Sequence, residues 1–427
     1  MNKKININDN IFKNDFPFFK NNPDLVYLDT AASSLKPQIV IDAVSDYYEK
    51  YCINPHSQDY QLAVKGNDIF EDTRKTISKF INSNENEIVF CPSATFAYNQ
   101  IAFGLEKYLQ ENDEILLTTL EHSSLLLPFY RLIQTKKIKI KFIETNKQGF
   151  ITVESLKKVL TPKTRIVAFA NINNSLAIEN DTETLTNFIK EYGKKNVKSD
   201  NWIFKNILVI IDGAQSIGHI KNDVKNWNID FFGFSGHKVF GPTGIGVFWG
   251  KNEWLNMLDP LILGGGMNGD IYENGKFNLL NSPYRFEGGT QNIAGVFGLG
   301  AAIKYLLNIG IENIRNHEIL LKKYAIEQLT AHLGNNIEIY NIDGNSSNII
   351  FNIKKVFAQD VANFLGTQNI CVRSGTYCAK LLPNIINAEV TIRLSFYIYN
   401  CKKDIDLLVI SLKKGINEGG DFLNEFF

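Results

Sequence analysis

Between about Asn86 and Gly250 the chain alternates short, mostly unbroken apolar runs with longer amphipathic or polar stretches. The runs are EIVFC, EILLTT, IKIKFIE, RIVAFANI, ILVIID, FFGFS and IGVFWG. A short apolar run rich in β-branched and aromatic residues fits a strand buried on both faces. Such strands separated by helix-length segments fit an α/β fold with a mainly parallel, seven-stranded sheet covered by helices. After about Gly298 the pattern changes. LGAAIKYLLNIGIENIRNHEILLKKYAIEQLTAHL predicts one long helical segment, and SNIIFNI, ICVRSG and TIRLSFYIY predict strands of a smaller α+β unit. The expected organisation is a segment over residues 1–35 packing with the small domain, a large α/β domain over 36–298, and the small domain over 299–427. Lys194 to Asn206, KKNVKSDNWIFKN, is polar enough to predict a surface excursion before ILVIID.

Composition narrows the partners. In 427 residues, Lys+Arg and Asp+Glu each total 45, so no global field draws the chain to nucleic acid or an anionic membrane. Nowhere do 18 apolar residues run together. MNKKININDNIFKND has lysines without an apolar stretch behind them, and neither a signal peptide nor an anchor is expected. Five cysteines, Cys52, Cys91, Cys371, Cys378 and Cys401, are scattered without a CxxC pair. Neither a disulfide framework nor a metal knuckle is expected, and a reducing cytoplasm suits them best.

Open α/β sheets bind ligands beyond the carboxyl ends of their strands, so the residues just after each run are the ones to inspect. Asp212 comes directly after ILVII, where a carboxylate loses water unless something positive meets it. A helix cap or turn aspartate is the ordinary alternative. Twenty-six residues later Lys238 lies in FFGFSGHKVFGPTGIG, among aromatics, aliphatics and glycines. Such surroundings destabilise an ammonium and suit a Schiff-base nucleophile, although a snorkelling lysine would also fit. Together the two match the needs of pyridoxal phosphate, a carboxylate for the ring nitrogen and an amine for the aldehyde. Ser93-Ala94-Thr95, between a strand and a helix start, could cup the phosphate or merely cap the helix. Ser235 and His237 could add donors, and His122 after EILLTT could stack on the ring or serve structurally.

These runs carry a resemblance. DGAQ (Asp212 to Gln215), SGHKVFGPTGIG (Ser235 to Gly246), Glu121-His122, RFEGGTQN (Arg285 to Asn292) and YLDTAASSLKP (Tyr27 to Pro37) resemble, in order, the class V branch of fold-type I pyridoxal phosphate enzymes. The likeness spans about Tyr27 to Ile410. It implies that Lys238 binds the cofactor and shuttles protons, Asp212 pairs with the ring nitrogen, and His122 stacks on the ring. Gln215 and Asn174 would lie by the ring oxygen, with Thr95, Ala94, Ser235 and His237 around the phosphate. Thr290 is similar to a residue that reaches the neighbouring subunit's phosphate, which implies a homodimer.

Within that class VRSGTYCAK (Val372 to Lys380) is the distinguishing stretch. Cys378 does not sit in an apolar run, and Arg373 and Lys380 bracket it with positive charge, a setting in which thiols act as nucleophiles. The loop resembles the RxGxxC loop of the group II, SufS-like cysteine desulfurases, and Arg393 lies 15 residues beyond Cys378, similar to that group's compact spacing. The resemblance implies conversion of L-cysteine to L-alanine with sulfur passed to Cys378 as a persulfide. Arg393 would hold the substrate carboxylate, with Arg373, Ala31 and Asn174 close by. A SufU- or SufE-like acceptor protein feeding iron–sulfur cluster assembly is the implied partner. Alternatives are another class V enzyme, such as an aminotransferase, selenocysteine lyase or C–S lyase, or a catalytically silent paralogue serving as a scaffold. The chain departs from the family pattern at HSQDYQL (His56 to Leu62), at Ala94, at Tyr377 in place of a usual histidine, and at Ala177-Ile178.

Overall fold

The computed structural model describes residues 6–54, 57–146, 148–199 and 201–417. His56 therefore lies outside the described residues. All seven expected runs form strands of one sheet: β1 (Ile88–Cys91), β2 (Glu114–Thr118), β3 (Lys139–Ile143), β4 (Thr164–Ala170), β5 (Leu208–Asp212), β6 (Phe231–Ser235) and β7 (Gly246–Gly250). Their spatial order is β1-β7-β6-β5-β4-β2-β3, and only β7 runs against its neighbours.

The sheet explains the apolar runs. Val209 and Ile211 of β5 face one hydrophobic cluster while Leu208 and Ile210 face another, and β4 divides the same way between Val167 with Phe169 and Ile166 with Ala168. With both faces covered no polar alternation survives. Helix α1 (Ala94–Glu106) and helix α2 (Ser123–Lys136) pack on the second face, and helix α3 (Ile293–Ile309) contributes Val296, Leu299 and Ile303 to the first.

A second sheet is built from β8 (Ile337–Ile339), β9 (Ile349–Ile353), β10 (Arg373–Gly375) and β11 (Thr391–Leu394), in the order β8-β9-β11-β10, all antiparallel. Val26–Tyr27 pairs in parallel with Ile370–Cys371, and Val26 and Leu28 join the core of this sheet. Phe12, Phe16 and Phe19 instead enter the cluster of the large sheet, where the Phe16 ring meets Phe240 and Tyr399. The early segment thus touches both cores.

Two expectations are corrected. The predicted single long helix is two, α3 and α4 (Ile311–Leu333), bent by 74° at Gly310, whose φ of +88° a glycine adopts without a Cβ penalty. No single helix among the described residues is long and apolar enough to cross a membrane. The stretch around Lys194 to Asn206 is not wholly superficial, because Ile203 and Phe204 are buried against the β5 side of the sheet. Their apolar spacing was masked by the polar residues around them.

Candidate active site

The strand ends converge. Asp212 closes β5, Ser235 closes β6 and leads into the turn Gly236–Lys238, Ser93 comes after β1, His122 after β2, and Asn174 after β4. The second sheet supplies Arg373 and Arg393, which are direct cross-strand neighbours on β10 and β11. Apart from Ser93, these residues line one pocket of about 230 Å³ with Ala31, Ala94, Thr95, Gln215, His237, Lys238 and Cys378. Every candidate site residue from the sequence is there except Ser93, which caps the helix, and Thr290, which is exposed; both are outside the lining.

Asp212 is buried, and burial pushes its carboxyl above the usual range, against the pull of two donors and of His122 and Lys238. The Ala214 N–H and the Tyr98 hydroxyl each lie 2.8 Å from Oδ1. Across the pocket the Lys238 ammonium donates to the Ala31 carbonyl, which also accepts from Gln215 Nε2 at 2.9 Å. Burial first, and then the Arg393 charge, press Lys238 down from 10.5 to about 7, so near neutrality about half of it is a free amine. Its turn is clamped from behind, since the His237 carbonyl accepts from the Ser34 N–H and Oγ, both at 3.0 Å.

One end of the pocket is formed by the start of α1, where free backbone N–H groups favour an anion. Ser93 caps the helix by accepting from the Phe96 N–H at 3.2 Å. The Ala94 N–H donates to Ser235 Oγ at 2.9 Å, which leaves the Ser235 hydroxyl proton for another acceptor. Thr95 Oγ1 lies 2.7 Å from Ser124 Oγ. His237 is pushed down to about 4 by burial and then by Lys238 and Lys36, so it offers an N–H and not a charge at pH 7. His122 caps α2: its Nδ1 accepts from the Ser124 N–H at 3.1 Å, which puts the proton of the neutral ring on Nε2.

At the opposite end Arg393 is almost fully buried. It donates to the Asn174 carbonyl at 2.9 Å and to Asp29 at 3.2 Å, while its Nε has no hydrogen-bond partner among the described residues. A buried guanidinium N–H left unpaired is costly and fits an oxyanion acceptor. The Tyr377 ring stacks 4.7 Å beneath it. Tyr377 is fixed by Thr391 Oγ1 at 2.8 Å and by the Asn174 amide, which donates to its carbonyl at 2.6 Å. Gly375, Tyr377 and Cys378 all have positive φ, at +130°, +55° and +61°. This winding turns Cys378 outward, exposed and unpaired, while its carbonyl accepts from the N–H and Oγ of Ser123, both at 2.9 Å.

Three contributors had no role assigned from sequence, although Asp29 and Glu121 lie in motifs that carry the resemblance. Asp29 supplies the carboxylate to Arg393 from 364 residues away. Glu121 is buried behind His122, held by Thr118 Oγ1 at 2.6 Å and the Ala170 N–H at 2.9 Å, and burial raises it to about 8. Tyr98 bonds Asp212, and the only signal for it was a tyrosine among the alanines, Ile101 and Leu105 of the buried helix face.

The donor set fits pyridoxal 5′-phosphate: a buried carboxylate, a depressed lysine at a turn, and a helix start with hydroxyls beside it. Residues 26–408 match the Aminotransferase class-V family. A probable cysteine desulfurase of Ureaplasma parvum is 44% identical, covering 97% of this chain and 99% of its own. One from Borreliella burgdorferi is 37% identical, covering 95% and 96%. Among solved structures, a cysteine desulfurase from Thermococcus onnurineus superposes with a TM-score of 0.87 at 31% identity, covering 95% of this chain and 97% of its own. The cysteine desulfurase CsdA from Escherichia coli gives 0.85 at 30% identity, with 95% and 98% covered. Strand-end chemistry, sheet order and near full-length similarity therefore agree, and the chain belongs to the class-V aminotransferase family.

Proposed function

We propose that this chain is a pyridoxal 5′-phosphate-dependent cysteine desulfurase that converts L-cysteine to L-alanine and carries the sulfur on Cys378 as a persulfide. The observation that carries the reading is one pocket lined at once by Asp212, Lys238, Arg393 and an exposed cysteine. Relatives named as desulfurases, similar over nearly the whole chain, support it.

When bound, the cofactor supplies an electron sink that lets the substrate lose its α-proton and then its sulfur. The chain supplies the rest. Lys238 holds the aldehyde carbon of the cofactor and, near pH 7, gives and takes protons at Nζ. Asp212 keeps the ring nitrogen protonated, His122 covers the ring, and Gln215 and Asn174 border its oxygen. Thr95, Ser235, His237 and the backbone at Ala94 hold the phosphate. Arg393 binds the substrate carboxylate through its fork, with Arg373, Ala31 and Asn174 around it. The Cys378 thiolate attacks the substrate sulfur: an S–S bond forms, the C–S bond breaks, and the carbon takes a proton to become the methyl group of alanine.

The reading extends to two partners. A homodimer would bring Thr290, exposed in one chain, to the phosphate of the other site. Exposure of Cys378 suits handover to a SufU- or SufE-like acceptor that feeds iron–sulfur cluster assembly. The test is a paired assay of alanine and sulfide from L-cysteine under reductant, for the wild type and for Cys378→Ala. The variant should bind cysteine spectrally yet form neither product. Full activity in Cys378→Ala would replace the desulfurase reading with a C–S lyase.

A further inference from the structure

Tyr98 is fully buried on the inward face of α1, four residues beyond Ala94, the first residue of that helix. Its hydroxyl lies 2.8 Å from Asp212 Oδ1 and 2.8 Å from the Gly233 carbonyl. A phenol has one proton for these two acceptors, and the carboxylate is the stronger. The Gly233 carbonyl already accepts from the Gly213 N–H at 3.0 Å, and Asp212 Oδ1 from the Ala214 N–H at 2.8 Å, so the phenol is the second donor to either, and the charge of the carboxylate draws its proton. Gly233 itself makes the approach possible, because a Cβ there would come within 3.1 Å of the Tyr98 ring.

Both donors to Asp212, the Tyr98 hydroxyl and the Ala214 N–H, fall on Oδ1. Among the described residues Oδ2 has no hydrogen-bond partner. Two donors on one oxygen fix the rotation of the carboxylate and leave the other oxygen to the pocket. We propose that Tyr98 is a positioning residue that fixes Asp212 through Oδ1 and reserves Oδ2 for the ring nitrogen of the cofactor. This rests on the cofactor reading above.

Tyr98 also decides where the shared proton sits. A donor to the carboxylate makes it a weaker base, so the proton stays on the ring nitrogen; without the donor it moves towards the carboxylate. The other titratable groups facing Asp212 are His122, Lys238 and Glu121, and none of them bonds it directly. Tyr98→Phe therefore removes one bond and leaves those charges in place.

The experiment loads wild type and Tyr98→Phe with pyridoxal 5′-phosphate carrying 15N in its ring. It records the ring 15N shift against pH, the dissociation constant of the cofactor, and the melting temperature of the cofactor-free protein. The expected result is a 15N shift displaced towards the unprotonated value, with cofactor binding weaker by roughly tenfold. The melting temperature should hardly move. An unchanged 15N shift overturns the proposal, whether or not affinity falls, since a packing role would lower affinity alone. If Tyr98→Phe does not fold, 3-fluorotyrosine at position 98, a stronger donor, should move the 15N titration in the opposite direction, and no movement overturns the proposal. Wild type that takes up no cofactor would instead refute the reading on which this rests.

Discussion

Lys238 should cost the cofactor-free protein stability, and removing its charge should give that stability back. In the folded chain its ammonium is held at about 7 against an ordinary 10.5, chiefly by burial and next by Arg393. Between these values the unfolded chain binds a proton that the folded chain does not. The penalty is therefore largest below about pH 7 and fades as pH rises towards 10.5. At 1.36 kcal/mol per pKa unit the ceiling at pH 7 is about 4 kcal/mol. Lys238 is partly open to a pocket that water enters, so about 2 kcal/mol is the expected effect. Lys238→Met keeps the stem, and the Ala31 carbonyl keeps its bond from Gln215. Guanidinium unfolding of both cofactor-free proteins should show the variant more stable at pH 7, with the gap falling to about 1.3 kcal/mol at pH 9.5. A gap that is absent at pH 7, or that does not shrink at pH 9.5, would mean that Lys238 is not a desolvated amine.

Arg393→Lys exchanges a planar fork for a single ammonium, so KM for L-cysteine should rise by roughly 10–100-fold while cofactor absorbance stays unchanged; steady-state kinetics beside a spectrum decide it. Arg74 is buried, donates to both oxygens of Glu287 at 2.8 and 2.9 Å, and also reaches the Ile88 carbonyl at 2.7 Å. Arg74→Met should cost about 3–5 kcal/mol by stranding the Glu287 charge, and adding Glu287→Leu should recover part of it. The Phe90 N–H, which donates to Glu287 at 2.8 Å, would then lose its acceptor and limit that recovery. Unfolding midpoints of the two variants test this, and a single variant as stable as wild type would remove the pair from the fold's support.

Much of this was legible before any coordinates. A strand buried on both faces must be apolar throughout, so EIVFC, ILVIID and FFGFS announced themselves, and the first polar residue after each run had to sit at the binding edge of the sheet. Asp212 and Ser235 are found by that rule, and Lys238 by its apolar surroundings together with the carboxylate 26 residues before it. The bend at Gly310 was not legible, because the apolar pattern continues through it and only the packing of α3 and α4 against different cores sets the angle.

The partners of each site residue belonged to the tertiary structure. Tyr98 meets Asp212 across 114 residues, and Arg393 meets Asp29 across 364. Periodicity reports which face of an element is buried, and local motifs report the residue types at a strand's end. Neither encodes which distant side chain fills the space opposite. The chain by itself thus determined the strands and the chemical types at their ends. Folding decided which donor holds Asp212, which acid faces Arg393 and which way Cys378 turns, because those are set by packing between elements that the chain order keeps apart.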